Sequence, residues 1–244
     1  MANTIYNESC LDTLKRMEDN TVDLVITSPP YNMNLRIRNG EYTSRQIVKE
    51  FSTKYDNEFK DNIPIEKYNE FHSSVLRELL RVSPLVFYNI QLVTGSKRSL
   101  FKMIGEFSEY LKEMIVWDKL KAQPAMQKGV MNSRYEFILV FDKNDAISRM
   151  FSNPKFERGT LDNLWELGSE KKSKHKASFP VSLVEKILTN FTEENQIVYD
   201  PFMGSGSTAV ACQNLNRKYI GSEISKDYIE IAQERLSCGQ LKLV

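Results

Sequence analysis

The feature that most constrains this chain is a glycine turn placed close to its end. In "IVYDPFMGSGSTAVA", Ile197 to Ala211, an apolar strand ends at Asp200, Gly204 and Gly206 follow, and a helix opens at Ser207 or Thr208. Glycines there permit a tight turn and close approach of a ligand, and a helix N-terminus aims unpaired N–H groups at it. The next apolar run, "RKYIGSE" from Arg217, ends in Glu223, a carboxylate placed to accept from both hydroxyls of a ribose. Only about 35 residues follow the turn, too few to complete a six-stranded dinucleotide fold, so the other strands must come from the chain before it. The order is permuted.

About seven runs read as strands by their β-branched and aromatic residues: "TIYN" at Thr4, "VDLVIT" at Val22, "LVFYNI" at Leu85, "EMIVW" at Glu113, "YEFILVF" at Tyr135, "QIVYD" at Gln196 and "RKYIGSE". Helical spacing fills several gaps. Pro64 suits a helix N1 position, and Tyr68, Phe71, Val75, Leu79 and Val82 then make one apolar stripe; "VSLVEKILTNF" from Val181 and "KDYIEIAQERL" from Lys226 are spaced alike. Strands alternating with helices predict an α/β domain, 1–244, with a mostly parallel sheet covered on both faces. Between "EMIVW" and "YEFILVF" lies a polar loop with Pro124 and Gly129, which reads as a hairpin and makes one strand antiparallel.

Composition removes other classes. Cys10, Cys212 and Cys238 lie far apart, no Cys/His cluster has metal-ligand spacing, and no apolar run spans a bilayer or resembles a secretion signal. The expectation is a cytoplasmic chain with no metal and no disulfide. With 33 basic and 32 acidic residues, any polyanion site has to be a local patch. Two polar stretches offer one: 33–62, with Arg36, Arg38, Arg45, Lys49 and Lys54, and 143–175, ending in "SEKKSKHK" with Lys172 and Lys174. Each taken alone reads as a solvated surface loop.

The strand "VDLVIT" stops at a stiff polar corner, Ser28-Pro29-Pro30-Tyr31. In a permuted sheet this corner faces the same edge as the glycine turn, where open α/β sheets bind ligands. By itself the corner reads as an ordinary proline turn over a packed tyrosine. By themselves Gly204, Gly206 and Ala209 also satisfy G-x-G-x-x-A, which admits a nicotinamide or flavin enzyme.

Taken together, the blocks resemble the β-class S-adenosylmethionine-dependent DNA methyltransferases that modify exocyclic amino groups. "NESCLDTLKRMEDNTVDLVITSPPYN" is similar to their opening block with its S/D/N-P-P-Y motif, and "MIVWDK" and "RYEFILVFDK" to later sheet strands. "KHKASFPVSLVEKIL" is similar to the block beside the methionine part of the cofactor, and "DPFMGSGSTAVA" and "YIGSEISKDYIEIAQERL" to the cofactor loop and ribose strand. Catalytic block first and cofactor loop near the C-terminus is the β-class order. Glu8, Ser9 and Cys10 stand where many relatives have Gly-Asp-Cys or Gly-Asp-Ser, and Lys176 where a proline is frequent, so no adenine contact is assigned there.

The resemblance implies a class I, Rossmann-like sheet of seven strands and a methyl transfer from S-adenosylmethionine. It assigns Ser28, Pro29, Pro30 and Tyr31 to the target amine, and Asp200, Pro201, Phe202, Gly204, Ser205, Gly206, Thr208, Glu223, Ser178 and Phe179 to the cofactor. The partner it implies is double-stranded DNA, met by Arg36, Arg38, Lys172 and Lys174, with 143–174 as a target-recognition insertion and 33–62 as a DNA-contacting loop. A homodimer and a cognate restriction endonuclease are the further partners it leaves open. Serine before Pro-Pro-Tyr is usual for cytosine N4 enzymes in the family; adenine N6 is the alternative and an RNA substrate the remote one. The chemistry is intelligible from the corner, because an exocyclic amine delocalises its lone pair into the base. The Ser28 hydroxyl and Pro29 carbonyl can accept its two N–H groups and localise that pair, the prolines hold the acceptors in place, and Tyr31 stacks on the base.

Overall fold

Two alternating rows of apolar side chains along the same strands explain why this sheet is buried on both sides. The structure, a computed structural model, describes residues 2–32, 35–38, 41–44, 63–123, 128–168 and 180–240. In chain order the elements are β1 (Thr4–Tyr6), α1 (Cys10–Arg16), β2 (Leu24–Thr27), β3 (Leu35–Arg38), β4 (Glu41–Ser44), α2 (Ile65–Val82), β5 (Leu85–Ile90), α3 (Lys97–Glu106), β6 (Leu111–Gln123) and β7 (Ser133–Asp142). They continue as β8 (Leu164–Glu166), α4 (Val181–Phe191), β9 (Ile197–Asp200), α5 (Ser207–Asn214), β10 (Lys218–Ser222) and α6 (Lys226–Gln240).

The main sheet has the order β1-β10-β9-β2-β5-β7-β6-β8. Only β7 runs against its neighbours, pairing antiparallel with β5 and β6. The hairpin expected between "EMIVW" and "YEFILVF" is therefore present. All seven expected strands are found, as β1, β2, β5, β6, β7, β9 and β10. The eighth, β8, adds a parallel edge to β6 through Val116↔Leu164 and Trp117↔Trp165. Its three residues, Leu164, Trp165 and Glu166, are too short to show a period.

Val25, Tyr88, Leu139, Phe141, Tyr199 and Ile220 face a core shared with α1, α2 and α3, while Leu24, Ile26, Phe87, Ile138, Val140 and Val198 face a second core under α4 and α5. Successive residues of a strand point to opposite faces, so strands buried on both read as continuous apolar runs. Three expectations need correction. The polar stretch 33–62 is not all loop, since β3 and β4 form a small antiparallel sheet paired from Leu35↔Ser44 to Arg38↔Glu41. Pro64 caps α2 one position before the N1 site expected for it. Part of the stretch 143–174 is docked rather than solvated: Phe151, Leu161 and Leu167 pack on the second core, and the Trp165 side chain is fully buried. Among the described residues no helix is long and apolar enough to cross a membrane.

Candidate active site

The carboxyl ends of β10, β9, β2 and β5, with the start of β7 and the end of β6, bring polar side chains from the whole length of the chain to one edge. Asp200, at the end of β9, is 1% exposed. Its Oδ1 accepts from Thr27 Oγ1 and the Phe202 amide, both at 3.0 Å, and its Oδ2 accepts from Thr208 Oγ1 at 2.6 Å. Burial pushes the Asp200 carboxyl up to about 6, against the lowering effect of these three donors, with the Glu223 charge adding a smaller push upward. Asp200 thus clamps the end of β2 to the glycine loop and to the first turn of α5. The carboxylate and the fully buried Thr208 are bonded to each other beneath the loop on which the cofactor is expected.

The two glycines of the turn also divide. Gly206 has φ +83°, and a Cβ there would lie 2.7 Å from Cβ of Ala232 on α6. Its amide donates to the Met203 carbonyl at 3.0 Å. Close packing against α6 therefore requires glycine at position 206. Gly204, at φ +51°, would place a Cβ no nearer than 3.8 Å to any other atom of the described residues beyond its chain neighbours, so among them its face is open. Its amide donates to Glu223 Oε2 at 2.8 Å, and Glu223 Oε1 accepts from the Ser225 amide at 2.9 Å. The half-buried Glu223 thus stands at the lip of the turn. Ser205 is tied to Arg235, which reaches its carbonyl at 2.8 Å and its hydroxyl at 3.0 Å. Pro201 is buried, and Phe202 packs beside Phe71 with ring centroids 5.9 Å apart. An open glycine beside a half-buried carboxylate, on a loop held from below, fits a nucleoside ligand of the expected kind.

On the other side of the clamp stands the Ser28 corner. Ser28 Oγ lies 2.8 Å from Tyr31 Oη, which donates to Glu136 Oε2 on β7 at 3.0 Å. Asn89 on β5 brings its Nδ2 within 2.7 Å of Tyr31 Oη and 2.8 Å of Glu136 Oε2, and 3.4 Å from Ser28 Oγ. Lys119 on β6 closes the group, with Nζ 3.1 Å from Glu136 Oε1. Beneath the prolines, Tyr68 Oη donates to the Pro30 carbonyl at 2.8 Å, and the imidazole of His72 lies against the Tyr68 ring and meets Tyr88 Oη through Nδ1. Burial pushes His72 down to about 3, so it sits there neutral. Among the described residues no donor reaches the Pro29 carbonyl, which remains available as an acceptor.

Ser28, Pro29, Pro30 and Tyr31 are thus brought to the same edge as Gly204 and Glu223. Sequence reading missed Asn89, Lys119 and Glu136, because each sits inside a strand whose apolar neighbours carry the pattern. Polar residues interrupting "LVFYNI" and "RYEFILVF" at the carboxyl edge were the available signal. Ser178, Phe179, Lys172 and Lys174 lie outside the described residues, as do the side chains of Arg36 and Arg38. Glu8, in the departing first block, is occupied by Thr13 and Arg16, whose guanidinium lowers its carboxyl below the usual range.

Residues 22–234 match the DNA methylase family, and the chain belongs to it. It is 28% identical to the Type II methyltransferase M.BglII of Bacillus subtilis over 96% of this chain and 69% of that one. It is 31% identical to the orphan methyltransferase M.BamHII of Bacillus amyloliquefaciens, over 89% of each. Among solved structures, the cytosine-N4-specific PvuII DNA methyltransferase superposes with a TM-score of 0.71 at 19% identity, covering 95% of this chain and 85% of that one. M1.HpyAVI in complex with SAM superposes with a TM-score of 0.61 at 25% identity, covering 95% and 98%.

Proposed function

We propose that this chain transfers a methyl group from S-adenosylmethionine to the exocyclic amine of a base flipped out of duplex DNA, with N4 of cytosine the favoured target. One observation carries the reading: the hydrogen bond from Thr27 Oγ1 to Asp200 Oδ1, 3.0 Å, locks the end of the strand preceding Ser28 to the loop that presents Gly204. Two acceptors for an amine and an open cofactor cradle are thereby held in one rigid piece. The cofactor, when bound, supplies a sulfonium methyl that is already a good electrophile. This chain's part is to hold and activate the nucleophile. Ser28 Oγ and the Pro29 carbonyl accept the two N–H groups and draw the nitrogen toward tetrahedral geometry, and the Tyr31 ring stacks on the base. A base within a duplex cannot reach such a corner, so extrusion precedes transfer, and stacking offsets part of its cost of a few kcal/mol.

Arg36, Arg38, Lys172 and Lys174 are proposed as phosphate contacts, and residues 143–174 as the target-recognition segment. Nucleoside mass spectrometry of DNA incubated with the protein and labelled S-adenosylmethionine tests the reading. Labelled N4-methylcytosine is expected; N6-methyladenine would move the target to the alternative base, and label found in RNA alone would remove DNA as the substrate. Ser28→Ala sharpens the result. It should lower kcat by about 10²- to 10³-fold while cofactor and DNA affinities stay within about twofold, because the lost acceptor matters mostly in the transition state.

A further inference from the structure

The hydroxyl of Ser28 is useful to an amine only if its own hydrogen points elsewhere. In water that hydrogen is free to rotate, and half-correct orientations would meet the amine donor to donor. The surroundings of Tyr31 decide the matter. Glu136 is an acceptor only, so the Tyr31 hydroxyl donates to it at 3.0 Å. Asn89 cannot turn its oxygen toward that carboxylate, so its Nδ2 donates to Glu136 and to Tyr31 Oη, at 2.8 and 2.7 Å. The single hydrogen of the Tyr31 hydroxyl is given to Glu136, so in its contact with Ser28, 2.8 Å away, the Ser28 hydroxyl is the donor. We propose that Glu136 is a positioning residue that fixes the direction of the chain Ser28 to Tyr31 to Glu136, so that the lone pairs of Ser28 Oγ face the substrate amine.

Two further features serve this arrangement. Glu136 is 9% exposed and its second oxygen is held by Lys119 at 3.1 Å, so the buried carboxylate has a counter-charge. Lys119 sits in a register shift of β6 between Asp118 and Gln123, and the next residue, Leu120, has φ +62°. A leucine in the left-handed region is uncommon, and bulges beside active sites re-aim side chains. Asp118 holds the bulge, accepting from the Leu120 amide at 2.8 Å and from Arg134 at 2.6 and 2.7 Å. The five side chains, Lys119, Glu136, Asn89, Tyr31 and Ser28, come from β6, β7, β5 and the corner after β2, four neighbours in the sheet.

The inference rests on the amine-methylation reading, and its test separates the two. Full-length parental protein, Glu136→Gln, Ser28→Ala and the double variant are compared in single-turnover methylation of a duplex carrying the target sequence, with cofactor affinity by calorimetry and base extrusion by a fluorescent base analogue. Glu136→Gln keeps the shape but removes the obligatory acceptor. It should lower the transfer rate by about tenfold or more with cofactor affinity and extrusion within about twofold, and cause no further loss in the Ser28→Ala background. Proton NMR supplies a readout independent of turnover: a downfield, exchange-protected hydroxyl resonance, assigned by its loss in Tyr31→Phe, should persist in Ser28→Ala and vanish in Glu136→Gln. Multiplying effects of Glu136→Gln and Ser28→Ala, or an unchanged hydroxyl resonance, would overturn the role of Glu136. Parental protein that methylates no DNA would instead overturn the reading beneath it.

Discussion

The two halves of the carboxyl edge solve the same problem, holding a polar group still in a buried place, in opposite ways. The cofactor half is local. Asp200 takes the Phe202 amide and Thr208 from its own loop and helix, and reaches across the sheet only to Thr27. The amine half is assembled from afar: Ser28, Asn89, Lys119 and Glu136 are brought together by sheet order alone. The difference shows in charge as well. The cofactor half buries a carboxyl raised to about 6, whereas under the amine corner lies an imidazole lowered to about 3. The local design is a motif that travels as one piece of sequence; the assembled one depends on four strands keeping register.

The sharpest way to set the halves against each other is pH. His72 has a folded value below the ordinary 6.5, so its stabilisation is present above that value and is lost as pH falls toward 3. Relative to a His72→Gln variant, the parental chain should lose up to about 5 kcal/mol of unfolding free energy across that window, read from urea titrations at a series of pH values. Parallel curves would mean that His72 is not buried and neutral. Asp200 has the opposite sign. Its folded value stands above 3.8, so its stabilisation is present in full below that value and is lost as pH rises through about 6. Against Asp200→Asn, the parental chain should lose about 3 kcal/mol between those limits, and a rise instead of a fall would show a carboxylate stabilised in its charged form.

Within the cofactor half, the glycines should separate fold from ligand. Gly206→Ala drives a Cβ to 2.7 Å from Ala232 at a positive φ, and a cost of about 2–3 kcal/mol is expected in thermal or denaturant unfolding. Among the described residues Gly204→Ala meets nothing nearer than 3.8 Å, so left-handed strain of about 1 kcal/mol is the cost expected. Its larger effect should appear in calorimetry, as S-adenosylmethionine affinity reduced about tenfold or more. If Gly206→Ala spares stability and abolishes binding while Gly204→Ala does the reverse, the roles assigned to the two are exchanged.

The strands were legible because a sheet buried on both faces leaves continuous apolar runs, and the order of the two motifs was legible because the Ser28 corner precedes the Gly204 loop in the chain. The Ser28 corner and the Gly204 loop were legible as motifs, since proline and glycine impose their backbone geometry locally, whatever surrounds them. The edge strand β8 and the β3–β4 hairpin were not, being too short to show a period against their polar neighbours. What only the tertiary structure decided is the division of labour within those motifs. Nothing in "GSG" says that Gly206 is crowded by Ala232 while Gly204 faces open space, and nothing in "DPF" says that Asp200 turns inward to Thr27 and Thr208. Asn89 and Glu136 show locally only as polar interruptions of apolar strands, and nothing local says that they and Lys119 meet at one corner. A hydrogen bond depends on distance in space, and residues drawn from β5, β6 and β7 become neighbours of Ser28 only once the sheet has set their order and register.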